Sequence, residues 1–252
     1  MILLLLPPIS LLIWTQIPEP AQGWLFLPVW VASSWLILAG TLESARLRRR
    51  VWLEQYLLAD SAWHRLLRGG VLMTVWHLLV AALLALFMLA KLLHVHAWIG
   101  LLLLAQAVVI GWLGRWLDAR LQVHVRVAVR PAVTRRMLVP LVMLPLLLGY
   151  LLIVLMLSQP AMVGIGWGEA VSLYLPEAQS AVGLLALCER SYLLLDLTLQ
   201  WALQNALGSR DETGALAVLA WSLLLLSGAA FTWAWVRMLV GVGALVNTGE
   251  EA

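Results

Sequence analysis

Residues 71–93 read VLMTVWHLLVAALLALFMLAKLL, a run that contains a single formal charge, Lys91. An α-helix needs roughly 20 apolar residues to cross a bilayer, and this run meets that length. Similar runs follow at 97–113, 137–157 and 214–236. The 252-residue chain is 63% hydrophobic and 12% charged, with a mean hydropathy of +0.95, far from the composition of soluble globular domains. The sequence therefore predicts an all-α polytopic membrane protein, without a separate soluble catalytic domain.

The apolar runs pair into hairpins, so we expect about six transmembrane helices in three hairpins within a single membrane domain. The first hairpin covers 1–43, and its opening run lacks the positive flank of a cleaved secretory signal, so we expect it to be retained. The second covers 71–114. The third joins a transmembrane helix at 137–157 to the last one at 214–236, across an external loop at 158–213.

The distribution of basic residues predicts the orientation. Thirteen of the sixteen Lys and Arg residues lie in the segment 44–70, the segment 115–136 and at Arg237. Because Lys and Arg are retained on the cytoplasmic side, both termini are expected on the cytoplasmic side of a bacterial-type inner membrane. The net charge of +3 is therefore attributed to topology and to contact with anionic lipid headgroups, and no nucleic-acid partner is expected.

The two basic segments also predict local structure and contacts. The segment 44–70 mixes arginines with apolar residues, as an amphipathic cytoplasmic helix at the membrane surface does. In the basic connector 115–136, residues 121–130 alternate between apolar and mostly polar positions, which predicts a short cytoplasmic β-strand. The alternative is a helix that continues through 115–130. The candidates for cytoplasmic docking or lipid contact are Arg46, Arg48, Arg49, Arg50, Arg126, Arg130, Arg135 and Arg136.

A polar stripe marks the helix predicted at 178–207. Its members are spaced by seven, four and four residues, so they share one helical face: Glu189, Asp196, Gln200 and Gln204. If this helix lies on the outer surface, the two acids are solvated and the stripe is a docking surface. If the helix spans the bilayer, the acids imply an ion path or a buried partner, and Arg237 then lies on the wrong side.

Metal, cofactor and catalytic sites are not predicted. His94 and His96 are too few for a closed metal site and are interpreted as interfacial histidines. His77 has no second histidine on the facing run to bind haem. Cys188 is the single cysteine and forms no internal disulfide.

These patterns favour a non-enzymatic structural or accessory subunit of a cell-envelope assembly, such as a secretion, conjugation or transport machine. The expected partners are other membrane subunits or further copies of this chain. Small residues at 227–230, together with Gly241 and Gly243, predict close helix packing. The alternative is a proton- or ion-conducting transporter component that uses Glu189 and Asp196. A membrane enzyme acting on lipid is a third reading, for which no residue set can be named.

Overall fold

The computed structural model describes residues 2–18, 21–56, 70–127, 129–157, 159–178, 180, 183–208 and 214–250. Within these residues the chain forms helices and turns and no strand. The helices are α1 (Ile2–Trp14), α2 (Ala21–Tyr56), α3 (Val71–Leu93), α4 (Ala97–Leu121), α5 (Arg130–Met156), α6 (Trp167–Tyr174), α7 (Gly183–Gly208) and α8 (Gly214–Glu250).

Five of the described helices contain a stretch long and apolar enough to cross a membrane. The stretches are Ala21–Leu42, Val71–Leu93, Ala97–Leu121, Arg130–Met156 and Ala217–Leu245. The prediction of an all-α, multi-pass membrane protein is thereby confirmed in its main feature. Helix α1 is apolar but has only 13 residues, so its crossing of the membrane, and with it the first hairpin, stays a prediction.

Helix α8 lies at the centre of the bundle and packs against α1, α2, α3, α5 and α7. Its fully buried residues are Phe231, Thr232, Ala234, Trp235, Val236, Met238 and Leu239. Helices α4 and α5 form an antiparallel pair, since Gly114 faces Leu138 and Gly149 faces Leu102. The Gln106 amide of α4 donates to the Val142 carbonyl (3.1 Å), which lies between the two prolines of α5.

Helices α2 and α8 approach each other backbone to backbone through two glycines. A Cβ added at Gly241 would lie 1.9 Å from the Leu36 carbonyl oxygen, and one at Gly40 would lie 2.2 Å from the Arg237 carbonyl oxygen. The Arg237 guanidinium closes the contact by donating to the Gly40 carbonyl at 2.8 Å. Close approach of this kind is how helices gain van der Waals contact in lipid, where little hydrophobic drive separates helix from hydrocarbon.

The β-strand predicted at 121–130 is wrong for the residues described. Helix α4 runs to Leu121, the chain then turns, and α5 begins at Arg130. The turn is closed locally, with the Val125 amide donating to Leu121 (2.9 Å) and the Arg130 amide donating to Arg126 (3.0 Å). A lone strand would leave its ladder groups unpaired, whereas these turns satisfy them within the segment. The alternative of a continuing helix holds only as far as Leu121.

Charged residues do not end the helices in which they occur. Helix α2 continues through the predicted amphipathic segment to Tyr56, and α8 passes Arg237 to reach Glu250. The helical backbone satisfies its own hydrogen bonds in water as it does in lipid, and no proline or turn signal interrupts either helix at those points. The remainder of the predicted amphipathic segment, 57–69, lies outside the described residues.

Candidate functional site

A buried lysine lies at the end of α3 opposite the arginine-rich connector. Lys91 is 4% exposed, and its ammonium lies 3.4 Å from the Ser227 hydroxyl of α8. Four aromatic rings surround the ammonium, with centroids 4.6 to 5.7 Å from Nζ. They belong to Phe87, Tyr150, Tyr192 and Phe231. The negative faces of aromatic rings attract a cation at this range, which offsets part of the loss of hydration.

Next to this lysine, Glu189 of α7 is fully buried and uses both carboxylate oxygens. Oε1 lies 2.8 Å from His94 Nε2, and Oε2 accepts from the Ser180 amide (3.0 Å) and from the Ser180 hydroxyl. The His94 ring stacks on Tyr192, with centroids 6.4 Å apart. Because a buried carboxylate is costly unless it is fully hydrogen-bonded, these contacts are what allow Glu189 to lie in the interior.

Asp196 lies two turns further along the same face of α7. It accepts a hydrogen bond from the Gln200 amide at 2.8 Å. Burial raises the pKa of this carboxyl above its usual range, while the Lys91 ammonium acts in the opposite direction. We call this group of buried and partly buried polar residues the cap cluster and define it as Lys91, His94, Glu189, Tyr192 and Asp196.

The last member of the predicted stripe fastens a loop. Gln204 accepts from the Met162 amide (2.7 Å) and donates to the Pro160 carbonyl (2.9 Å). Its neighbour Asn205 donates to the Met162 carbonyl at 3.0 Å. The expectation that an external stripe faces water is therefore wrong. Helix α7 packs on α3 and α8 with its polar face inward, because residues of α3 and the loop provide the partners.

Lys91 and His94, which complete the cap cluster, were not predicted as site residues. His94 was interpreted as an interfacial histidine, and Lys91 was noted only as the single charge of its apolar run. A local signal existed, since Phe87, Lys91 and His94 recur at helical spacing on one face. The other partners come from α5, α7 and α8, which the spacing within one helix cannot reveal.

At the other end of the bundle, arginines line a cavity of about 590 Å³ between α4, α5 and α8. Of the eight predicted arginines, Arg130 and Arg135 line it, together with Arg115 and Asp118, which the sequence did not single out. Arg126 and Arg136 are exposed and do not line it. Arg46 is exposed near the end of α2. The side chains of Arg48, Arg49 and Arg50 lie outside the described part of the molecule.

The histidines make ordinary polar contacts. The His96 ring accepts from the Trp98 amide and caps α4, and His77 Nδ1 lies 2.8 Å from the Met73 carbonyl one turn earlier. Across the described ranges, no three His, Cys, Asp or Glu side chains converge as metal ligands. No protein-family model, curated protein or solved structure matches this chain, so its function is argued from the geometry.

Proposed function

We propose that the protein is a non-enzymatic, multi-pass membrane subunit of a larger cell-envelope assembly, and that its cap binds the partner. The cap consists of residues 159–178, 180 and α7. The observation that supports this function is the orientation of α7, whose polar face and apolar face point in opposite directions. Its polar stripe is turned inward and held by the cap cluster, while leucines occupy the outer face.

The outer face of the cap carries an apolar groove of about 680 Å³. Leu187 is 62% exposed on its wall, Leu194 lies beside it, and Glu177 and Arg190 provide charges at its edge. An apolar centre with a polar rim is typical of protein interfaces. We propose that an apolar helix of another membrane subunit occupies this groove, since a helix laid into a groove is a recurring mode of recognition.

Site-specific photo-cross-linking in the native membrane tests this proposal. A photoreactive amino acid at Leu187 should give one adduct of defined mass with a second polypeptide. Leu83 of α3 is equally exposed (67%) but lies on an apolar span, and the same amino acid there should react with lipid only. Arg190→Glu should abolish the Leu187 adduct without lowering protein abundance. A chain that leaves the native membrane as a monomer in mild detergent, with no adduct at Leu187, contradicts the proposal.

The second candidate is a proton- or ion-conducting component, favoured by the presence of five ionisable side chains in the cap cluster. Against it, the described spans carry no other buried lysine or carboxyl, so the cluster does not continue across the bundle. Glu189→Gln combined with Asp196→Asn should abolish flux in reconstituted vesicles if this candidate is correct. Unchanged flux in a folded double variant removes it.

In the proposed orientation, the arginine-rich end of the bundle lies on the cytoplasmic side of a bacterial inner membrane. In a Cys188→Ser background, a cysteine at exposed Val123 should react with an impermeant maleimide only after the membrane is opened. A cysteine at exposed Val163 of the cap should react in intact cells. The reverse pattern overturns the orientation, and the proposed external partner with it.

A further inference from the structure

The arginine cavity has the charge of an anion site. Three arginines and one aspartate line it, Arg115, Arg130, Arg135 and Asp118, giving a formal balance of +2. Arg130 and Thr134 belong to the first turns of α5, whose N-terminus contributes a partial positive charge. The amides of Arg130 and Val133 already donate to Arg126 and Val129, so the helix offers its dipole rather than those N–H groups.

Two residues that line the cavity each contain a buried polar atom without a hydrogen-bond partner. The Thr134 hydroxyl is one, on a residue only 6% exposed. Arg130 Nε is the other. It lies 3.0 Å from Asp118 Oδ1, an ion pair by distance, but its N–H is misaligned and makes no hydrogen bond. Buried polar groups are rarely left unsatisfied, because each loses its hydrogen bonds to water without compensation. The two residues are one turn apart on α5, and both line the same cavity.

The inner part of the cavity wall is hydrocarbon. Leu4 of α1, Ile110 of α4, Leu138 of α5 and Leu239 of α8 line it beneath the arginines. A small soluble anion needs only the polar rim. A ligand that combines a phosphate with acyl chains uses the rim and the apolar wall together.

We propose that this cavity binds the phosphate-bearing headgroup of an anionic phospholipid. The phosphate oxygens accept from Arg130 and from the Thr134 hydroxyl, while Arg115 and Arg135 supply positive charge. The acyl chains lie along the apolar wall. Basic pockets between transmembrane helices are a known form of lipid recognition, and here the polar atoms without partners indicate where the phosphate sits.

Thermal unfolding of the purified, delipidated full-length protein tests this site. Phosphatidylglycerol in mixed micelles should raise Tm in a saturable manner, and phosphatidylcholine should not. Arg135→Gln should raise the half-saturating phosphatidylglycerol concentration about tenfold, because it removes one of the positive charges that line the cavity. Arg136→Gln is the matched control, since it removes the same charge from the next residue, which is exposed and does not line the cavity. Its effect should be below about twofold.

Thr134→Val provides an independent variant, because valine keeps the shape and removes the hydroxyl. It should weaken phosphatidylglycerol binding without lowering the Tm of the lipid-free protein. A purely structural role for Thr134 predicts no change in binding.

Two outcomes overturn the proposal. If inorganic phosphate alone raises Tm to the same extent and displaces phosphatidylglycerol, the site takes a soluble anion. If the Arg135 and Arg136 variants weaken binding equally, the attraction is that of a general basic surface.

Discussion

The two ends of the helix bundle differ in where their charged side chains lie and in how their helices are held together. At the arginine-rich end, Arg126 and Arg136 face outward, and the helices α2 and α8 are held together by backbone contact at Gly40 and Gly241. At the other end Lys91 and Glu189 are buried, and side chains hold the elements together: Lys91, His94 and Glu189 join α3 to α7.

The number of charged residues at one end and the burial of charged residues at the other therefore have different consequences. Many exposed arginines at one end act together through retention on one side of the membrane, and no single one needs a partner. A few ionised groups at the other end must each find a partner, because burial removes their water. Loss of a single residue should therefore matter more in the cap cluster than among the exposed arginines.

The largest effect is expected where the arginine-rich half is held by backbone contact. Gly241→Leu places a side chain where the Leu36 carbonyl lies 1.9 Å from an ideal Cβ, so α2 and α8 must separate. We expect the free energy of unfolding to fall by more than about 3 kcal/mol. Size-exclusion chromatography should then show little folded protein. Gly243→Leu is the control, since nothing lies within 4 Å of a Cβ there. Equal yields of the two variants would show that the glycine contact is not what joins these helices.

A smaller effect is expected from removing one charge of the cap cluster. Glu189→Gln keeps the shape of the side chain but weakens its contacts with His94 and Ser180. It should lower the free energy of unfolding by about 2 kcal/mol. Burial raises the pKa of the Cys188 thiol, so we expect its alkylation to be slow and to accelerate when the cap loosens.

Glu169→Gln is the matched control, because Glu169 is exposed on α6. It should change the free energy of unfolding by less than about 0.5 kcal/mol relative to the wild type. If both variants leave Cys188 alkylation unchanged, the buried charges do not hold the cap in place.

The pH dependence of stability sharpens the contrast further. Burial raises the pKa of Asp196, so its contribution to stability is fully present below the unfolded value of about 3.9 and is lost as the pH rises through the folded value. Tm should therefore fall as the pH rises from about 4, and Asp196→Asn should make this fall shallower. Leu195→Ala is a non-titrating control that should lower Tm without changing the slope. Identical slopes for the wild type and the Asn variant would contradict the role of burial.

The smallest effect is a gain. Thr134→Val removes a buried hydroxyl without a partner and should raise the Tm of lipid-free protein by the equivalent of about 1 kcal/mol. Thr232→Val removes a buried hydroxyl that donates to the Gly228 carbonyl (2.9 Å), so it should give no gain. A loss of stability in the Thr134 variant would mean that its hydroxyl is already satisfied.

Much of the helical framework followed from local patterns. The apolar runs predicted the spans, and the spacing of Glu189, Asp196, Gln200 and Gln204 correctly put them on one face of α7. The direction of that face did not follow, because either water or protein can satisfy a polar stripe. The strand at 121–130 was wrong for a related reason, since alternation of side chains does not say which hydrogen-bond partners the backbone has.

The all-α, multi-pass class follows from the amino-acid sequence alone, because the length and apolarity of a run are sufficient for a bilayer to select a helix. The burial of Lys91 among rings from α3, α5, α7 and α8 depends on how the helices pack, and so does the cavity that Arg130 and Thr134 share with Arg115. Both sites join segments far apart in the chain. Their chemistry depends on distances between helices, which packing sets and periodicity within a single helix does not contain.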